Sequence, residues 1–179
     1  MKYLFSVLLV LFSLSSFAKG ITDYKIERIS IGDSALQFIS EKDLLALQKK
    51  SDQNSEYKES VFIPNNAESE YSIVSIVYKQ NDKNFIIESI NAVIYYDKDF
   101  DNCFSKKNEV MDEVSNLVNN VEWVANIIDE ERMYSEYTYA LMKSGYVMEL
   151  FCNNFSDTTK DYFSIYIGTI NSYIWAREK

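Results

Sequence analysis

The sequence predicts an α+β protein in which an antiparallel sheet of about five to seven strands carries helices packed on one face. Two observations favour this class. Runs of β-branched and aromatic residues come in groups separated by hairpin-length turns, and a single amphipathic helix divides the groups. Strand groups divided by single helices are typical of an antiparallel sheet rather than of alternating β-α units.

The first structured part of the chain predicts two short helices in tandem. Asp33 or Ser34 can accept hydrogen bonds from the free amides at the first helix start. Ser40, with Asp43 three residues later, forms a capping pattern for the second start. Leucines at helical spacing follow, and we expect the second helix to end by Lys50.

The next segment predicts a β-hairpin. Residues 71–79 and 84–96 are rich in Ile, Val and Tyr, and the turn-forming Gln-Asn-Asp lies between them. Residues 51–60 are mostly polar, and we expect them to form a connection without regular structure. A second connection follows, and it contains Pro64, the single proline of the chain.

An amphipathic helix is predicted over residues 105–119. Val110, Val114 and Leu117 fall on one stripe at helical spacing. Residues 121–128 fit either an extension of this helix or a strand, and the pattern does not separate the two.

The remaining sequence predicts a second hairpin, a further strand and a terminal helix. Residues 133–142 and 146–152 alternate as strands do, with Gly145 in the turn between them. Residues 161–169 predict one more strand, and residues 170–179 predict a short helix. The order suggests a loose tandem duplication of a helix followed by strands.

The N-terminus predicts a secretory signal peptide. Lys2 gives a positive end, Tyr3–Phe17 is almost entirely apolar or small, and small residues precede a cleavage point near Ala18. The apolar run is shorter than the roughly 18 residues of a membrane-spanning helix. We therefore expect a periplasmic or secreted protein without a membrane span after cleavage.

Residues 19–179 are expected to form a single α+β domain, with possible sub-lobes at 30–100 and 101–179. Apolar residues make up 47% of the chain, enough for a sizeable core. The formal net charge is −9 and no basic stripe is present, which argues against nucleic acid or an anionic membrane as partner.

Cys103 and Cys152 are the only cysteines, and they predict one intramolecular disulfide in an oxidising compartment. A redox site would require Cys-x-x-Cys, and a zinc site would require four Cys or His ligands. The chain contains no histidine, which also excludes Ser-His and Cys-His catalysis.

Asp97, Asp99 and Asp101 form an alternating acidic run, and this is the candidate metal site. Carboxylates spaced in this way can converge on Ca²⁺, which takes six to eight oxygen ligands. The alternative is an acidic turn beside the positive end of the following helix. The spacing departs from the EF-hand pattern, since Asn102 occupies the position of its invariant glycine.

Tyrosines recur on the predicted neighbouring strands of the second half, and they form a candidate binding surface. If several share an exposed face, their amphipathic rings suit a protein, a peptide or a glycan. The alternative is that they simply fill half-buried strand positions. The six residues are Tyr134, Tyr137, Tyr139, Tyr146, Tyr162 and Tyr166.

The chain resembles small uncharacterised exported bacterial proteins in four features: the opening ISIGDSALQFIS, the YKQNDKNFIIESINAVIYY hairpin, the cysteine before the amphipathic helix, and the cysteine that closes a late strand. A helix pair opened by Ile-Gly-Asp-Ser and followed by an antiparallel sheet also resembles, at the level of the fold, the SmpA/OmlA-type outer-membrane assembly lipoproteins and the β-lactamase-inhibitor-protein modules. The lipid-bearing cysteine of the former is missing here.

The sequence therefore predicts a non-enzymatic extracytoplasmic binding or interaction protein that requires no cofactor. One alternative is a Ca²⁺-binding module or a carboxylate-based hydrolase centred on the acidic run described above. Another is a small-molecule carrier, which would require an apolar cavity.

Overall fold

The structure is a computed structural model, and it describes residues 20–49, 55–64, 67–97, 99–130, 133–155 and 161–178. It contains one antiparallel sheet of seven strands and three α-helices, which confirms the predicted α+β class. The helices are α1 (Glu41–Ala46), α2 (Phe100–Leu117) and α3 (Ile170–Arg177), and 3-10 turns occur at Ile21–Asp23 and Ala35–Gln37. The strands are β1 (Tyr57–Phe62), β2 (Ile73–Lys79), β3 (Ile87–Tyr96), β4 (Val124–Glu130), β5 (Met133–Leu141), β6 (Tyr146–Phe155) and β7 (Asp161–Thr169).

The sheet consists of two meanders joined side by side. Its strand order is β1-β2-β3-β7-β6-β5-β4, so β1 and β4 are its two edges. Strands β3 and β7 pair over eight positions and make the two halves of the chain one continuous sheet. Each meander follows a helical segment, α1 in the first half and α2 in the second.

One face of the sheet forms the hydrophobic core, and we call it the core face. The side chains of Ile76, Ile90, Leu150 and Ile165 point to this face and are almost fully buried. Helix α2 packs on it through a stripe that includes Val110 and Val114, together with the N-terminal segment. Within the described ranges, none of the helices combines the length and the apolar character that crossing a membrane requires.

The predicted capping patterns of the first helices are confirmed. The hydroxyl of Ser34 accepts a hydrogen bond from the amide of Leu36 at the start of the 3-10 turn. The hydroxyl of Ser40 accepts from the amide of Asp43 and donates to its carboxylate at the start of α1. The first of the two expected helices is therefore only a 3-10 turn, and the second ends at Ala46.

The prediction that residues 51–60 form an irregular connection is wrong for the part that contains β1. Tyr57–Phe62 pairs with β2 along its whole length. The sequence pattern does not indicate this strand, because it is an edge strand, where polar residues are common. Ser60 is fully buried, and its hydroxyl donates to the carbonyl of Leu44 while lying 3.0 Å from the Tyr78 hydroxyl.

The predicted start of the long helix at residue 105 is also wrong, because α2 begins at Phe100. Asp99 occupies the N-cap, where its carboxylate accepts from the backbone amide of Asn102 at 3.3 Å. Cys103 therefore lies inside the helix. The acidic composition of residues 97–101 resembles a turn, but acidic residues are also the ones that favour a helix start.

Both predicted hairpins are confirmed, and the open question over residues 121–128 is answered. Strand β2 pairs with β3, and β5 pairs with β6. Strand β4 begins at Val124 and pairs with β5, so this segment is not an extension of α2. The terminal helix α3 is present as expected, but it packs on the face of the sheet opposite to α2, where the ring of Tyr173 contacts Tyr166.

Candidate functional site: the open face of the sheet

Cys103 of α2 and Cys152 of β6 lie at disulfide distance, with their Cα atoms 5.9 Å apart. Both are completely buried on the core face. The pair links α2 to a central strand across a sequence separation of 49 residues. Its place in the core favours a structural cross-link over a reactive site, since reactive cysteines are partially exposed.

The acidic run lies at the junction of β3 and α2. Both carboxylate oxygens of Asp99 are used locally, one by the amide of Asn102 and the other by its side chain at 2.6 Å. Asp101 is exposed in the first turn of α2. Over the described part of the chain, no three acidic or cysteine side chains are arranged to hold a metal ion. The Ca²⁺ site stays a prediction, and helix capping accounts for Asp99.

The six candidate tyrosines divide between the two faces of the sheet. Tyr134 contacts Phe100 of α2 with a centroid distance of 5.7 Å, and Tyr146 packs against the hydrophobic core. These two therefore belong to the core face. The other four lie on the opposite face, which we call the open face, and all four are half-buried: Tyr137, Tyr139, Tyr162 and Tyr166.

The register of the strands arranges the open face in rows. Ser164 of β7 lies opposite Phe151 of β6, and Phe151 lies opposite Tyr137 of β5. Tyr162 and Tyr166 precede and follow Ser164 on the same face of β7, about 7 Å away on either side along the strand. A small hydroxyl side chain therefore has aromatic rings on three sides and Val93 of β3 on the fourth, and it forms the floor of a depression.

Helix α3 forms one wall of this depression. Its residues Tyr173, Ala176 and Arg177 line a cleft of about 300 Å³ together with the rings around Ser164 and with two further polar residues of the sheet, Asn91 and Glu149. The cleft contains aromatic, amide and hydroxyl groups and one pair of opposite charges. This mixture of apolar walls and a few polar groups is typical of a ligand site.

The chain turns directly from β7 into α3 because of the residues at the junction. Thr169 caps α3 by accepting from the amide of Ser172, whose hydroxyl is 2.8 Å from the Thr169 carbonyl. A Cβ atom at Gly168 would collide with the side chains of Ser89 and Ser172. The absence of a side chain at this position lets α3 lie close against the sheet and form the wall of the cleft.

A charged pair lies within the cleft. The guanidinium of Arg177 donates to the carboxylate of Glu149, whose side chain is only 7% exposed. Burial by itself would lower the pKa of Arg177, but the negative charge of Glu149 outweighs it and raises that pKa above its usual value. The guanidinium also lies over the ring of Tyr173, 5.3 Å from its centroid. The two charges therefore compensate each other inside the cleft.

An aromatic strip extends the open face beyond the cleft. Tyr137 and Phe151 are stacked with a centroid distance of 5.3 Å and an interplanar angle of 10°. Tyr137 and Tyr139 are stacked at 6.4 Å with an angle of 19°. The strip leads from the cleft across β6 and β5 towards edge strand β4.

A second aromatic group borders the other end of the cleft, where Tyr162 contacts Tyr95 at 6.3 Å and Phe155 at 6.0 Å. Burial raises the pKa values of Tyr162 and Tyr166 above the usual value for tyrosine. Both phenols are therefore protonated at neutral pH. They act as uncharged groups towards a ligand, able to donate and to accept hydrogen bonds.

A separate apolar groove of about 670 Å³ lies between the N-terminal segment and the first meander. Ile39, Leu47 and Phe62 are among its lining residues, and Phe38 beside them is 43% exposed. Its lining is mainly aliphatic and aromatic. It resembles the cavity expected of a carrier, although it is open on one side.

Several residues of the cleft were not found from the sequence. Phe151 and Glu149 alternate on β6, so their common face could have been recognised once the tyrosines of β5 were paired with them. Arg177 and Tyr173 belong to a terminal helix whose docking face no local pattern indicates. No sequence pattern indicates Ser164, because it contributes to the cleft only by being smaller than the side chains around it.

Comparison with protein-family models, with curated proteins and with solved structures gives no match to this chain. The functional assignment therefore depends on the geometry of the chain itself.

Proposed function

We propose that the protein is a non-enzymatic binding protein that holds its ligand against the open face of the sheet. The observation that supports this most is the cleft beside α3, where aromatic rings border the small Ser164 on three sides and continue as a strip. Aromatic residues fill half-buried strand positions in many proteins. Here the rings line an open cleft, so a ligand can reach them. Rigid rings of this kind provide contact area at low conformational cost.

Residue chemistry supports binding over catalysis. The chain has no histidine, and the cleft contains one carboxylate, Glu149, already paired with Arg177. Hydrolysis of a glycosidic bond by the usual route uses two carboxyl groups about 5–10 Å apart across the substrate. The cleft instead provides the surfaces and hydrogen-bonding groups that complementarity requires.

We further propose that the protein acts outside the cytoplasm. The signal-like sequence before Gly20 and the cysteine pair at bonding distance both support export. Mass spectrometry of the protein recovered from outside the cytoplasm should show a chain that begins at Lys19 and lacks free thiols. A full-length chain retained inside the cell would contradict export without affecting the binding proposal.

A thermal-shift screen against peptides, glycans and small metabolites tests the binding function. A ligand at about 100 times its Kd stabilises a protein by about 2.7 kcal/mol, which raises Tm by several degrees in a domain of this size. The shift should be lost in Tyr137→Ala and Phe151→Ala. It should remain in Leu45→Ala, which removes an exposed side chain of α1 that lines neither the cleft nor the groove.

Ligands whose shift is unchanged by the open-face substitutions would contradict the proposed site. If every ligand that binds behaves in this way, the open face is not the binding surface, and the proposal fails.

The apolar groove favours a second candidate function, a carrier of small apolar molecules. A fluorescent apolar probe should bind with one-to-one stoichiometry, and Leu47→Asp should abolish its binding while Tyr137→Ala leaves it unchanged. Fluorescence that does not saturate with the protein, or that is insensitive to Leu47→Asp, would remove support for the carrier.

A further inference from the structure

We propose that the cleft beside α3 binds one unit of an uncharged oligosaccharide, with the neighbouring unit on the aromatic strip. This inference rests on the proposed function and specifies its ligand class. It comes from three properties of the cleft: its balanced charge, the kind of polar groups in it, and its continuity with the strip.

The charge balance argues against an ionic ligand. A ligand carboxylate or phosphate would approach Glu149 and a chain whose formal net charge is −9. A ligand cation would have to displace Arg177, which already occupies the position beside Glu149 and over the ring of Tyr173. Because the protein provides its own compensated pair, an uncharged ligand meets the smallest electrostatic cost.

The polar groups fit hydroxyl groups. Asn91 can both donate and accept, and so can the hydroxyl of Ser164 on the floor. The Arg177–Glu149 pair adds a planar donor and a planar acceptor that are fixed relative to each other. A pyranose ring carries hydroxyls around its rim and can satisfy groups of both kinds, whereas a hydrocarbon ligand would leave them without partners.

The aromatic walls fit the remaining surface of such a ring. A pyranose presents C–H groups on its faces, and the rings of Phe151, Tyr162 and Tyr166 border the space above Ser164. The volume of about 300 Å³ lies at the lower end of the range for ligand sites, about 300–1,000 Å³. This is room for one ring unit and not for a long chain.

Continuity with the strip indicates an oligomer. The stacked rings of Tyr137 and Tyr139 lead away from Phe151 across the sheet, so a second unit joined to the first meets an aromatic surface at once. A free monosaccharide would leave this part unused. We therefore expect tetrasaccharides to bind more tightly than the corresponding monosaccharide.

Isothermal titration calorimetry on the oxidised chain that begins at Lys19 tests the inference. The neutral probes are cellotetraose, maltotetraose and the tetramer of N-acetylglucosamine. The charged and peptide probes are tetragalacturonate, tetralysine and tetraalanine. At least one neutral tetrasaccharide should bind, at least tenfold more tightly than its monosaccharide, and none of the other probes should compete with it.

Two variants connect that binding to the cleft. Ser164→Trp places a large ring on the floor of the cleft and should weaken binding at least tenfold. Tyr162→Ala removes a wall and provides the same test if the first variant does not fold. Leu45→Ala serves as the control and should bind as the unmodified chain does, because Leu45 is exposed on α1 and lines neither the cleft nor the groove.

The outcomes separate the inference from the proposed function. If tetraalanine or a peptide from the thermal-shift screen binds and Ser164→Trp abolishes it, while no neutral sugar binds, the saccharide is wrong and the binding face stands. If tetragalacturonate binds most tightly, the argument from charge balance is wrong. If neither sugars nor any ligand of the screen respond to Ser164→Trp, both proposals fail.

Discussion

Leu150 and Phe151 are neighbours on β6, yet they lie on opposite faces of the sheet and in two different environments. Leu150 is completely buried on the core face among aliphatic side chains, with α2 packed above them. Phe151 is half-buried on the open face, stacked on Tyr137 and bordering the cleft. The core face is made mainly of Ile, Val and Leu, and the open face of Tyr, Phe and short polar residues. The aromatic residues on the open face of the second meander therefore do not build the core, unlike Phe163 on its other face, which is fully buried.

Each face also contains an ion pair with one almost fully buried partner, and the two pairs differ in which partner is buried. On the core face the cation is the buried partner, since the side chain of Lys107 is 3% exposed and that of Glu136 is 23% exposed. On the open face the anion is buried, with Glu149 at 7% and Arg177 at 52%. The exposed guanidinium can reach a ligand, whereas the ammonium of Lys107 is enclosed between α2 and β5.

The cross-link on the core face should give the largest effect. In the chain-entropy model, a disulfide across 49 residues contributes about 4 kcal/mol to the free energy of unfolding. The double substitution Cys103→Ala and Cys152→Ala should lower this free energy by about that amount, as measured by urea denaturation. Adding reductant to the unmodified chain should have a similar effect, and reductant should leave the double variant unchanged.

If the double variant loses less than about 1 kcal/mol of unfolding free energy, the packing of the core already provides most of the constraint that the disulfide adds. The core face would then be stabilised by its aliphatic side chains alone.

The adjacent pair on β6 gives the most direct comparison of the two faces. Leu150→Ala should cost about 3 kcal/mol, since it leaves a cavity in a closely packed core. Phe151→Ala removes a larger side chain but should cost only about 1 kcal/mol, because its site is half open to solvent. Urea denaturation of both variants measures the difference. Equal costs would mean that the open face is in fact packed as a core.

The sequence predicts the interior of the fold better than its edges. The hairpins were predictable because Ile, Val and Tyr concentrate where strands are covered on the core face, as in β2 and β3. Edge strand β1 was missed because its inward positions include Ser60, whose burial depends on hydrogen bonds to Leu44 and Tyr78. Such distant partners leave no local pattern.

The candidate site was predictable only in part, for a related reason. Alternation alone places Tyr134 on the opposite side of β5 from Tyr137 and Tyr139, since side chains alternate along a strand. Which side is covered depends on where α2 packs. The wall provided by Tyr173 and Arg177 depends on α3 turning back over the sheet at Gly168. That turn requires Gly168 of β7 to lie opposite Ser89 of β3, and this pairing exists only in the folded chain.

Alkaline pH should lower the stability of the folded chain, because it ionises tyrosines more readily in the unfolded chain than in the buried positions of the fold. Burial raises the pKa of Tyr71, which packs against the core, to about 12, partly offset by the positive charge of Lys106. A raised folded-state pKa gives stability that is complete below the usual value near 10 and is lost as pH rises towards 12. Between pH 9 and pH 11 this ionisation should cost a little over 1 kcal/mol.

Urea denaturation at the two pH values measures that loss. In Tyr71→Phe the loss should be smaller by that amount, because no phenol ionises at this position in the unfolded chain. Tyr162→Phe is the corresponding variant on the open face, where burial also raises the pKa and the change in pH dependence should have the same sign. A pH dependence that Tyr71→Phe leaves unchanged would show that its phenol is not desolvated.

The smallest expected effect is the coupling between Tyr137 and Phe151 within the strip. Their rings stack with centroids 5.3 Å apart, and such pairs contribute about 0.5–1.5 kcal/mol beyond the area that they bury. Since both rings are half exposed, a double-mutant cycle of Tyr137→Ala and Phe151→Ala should give a coupling near the lower limit of that range. The same cycle measured on ligand affinity should give a larger coupling, because a bound ligand excludes water from both rings. If the coupling in stability exceeds the coupling in affinity, the strip serves the fold and not recognition, and the distinction between the two faces is lost.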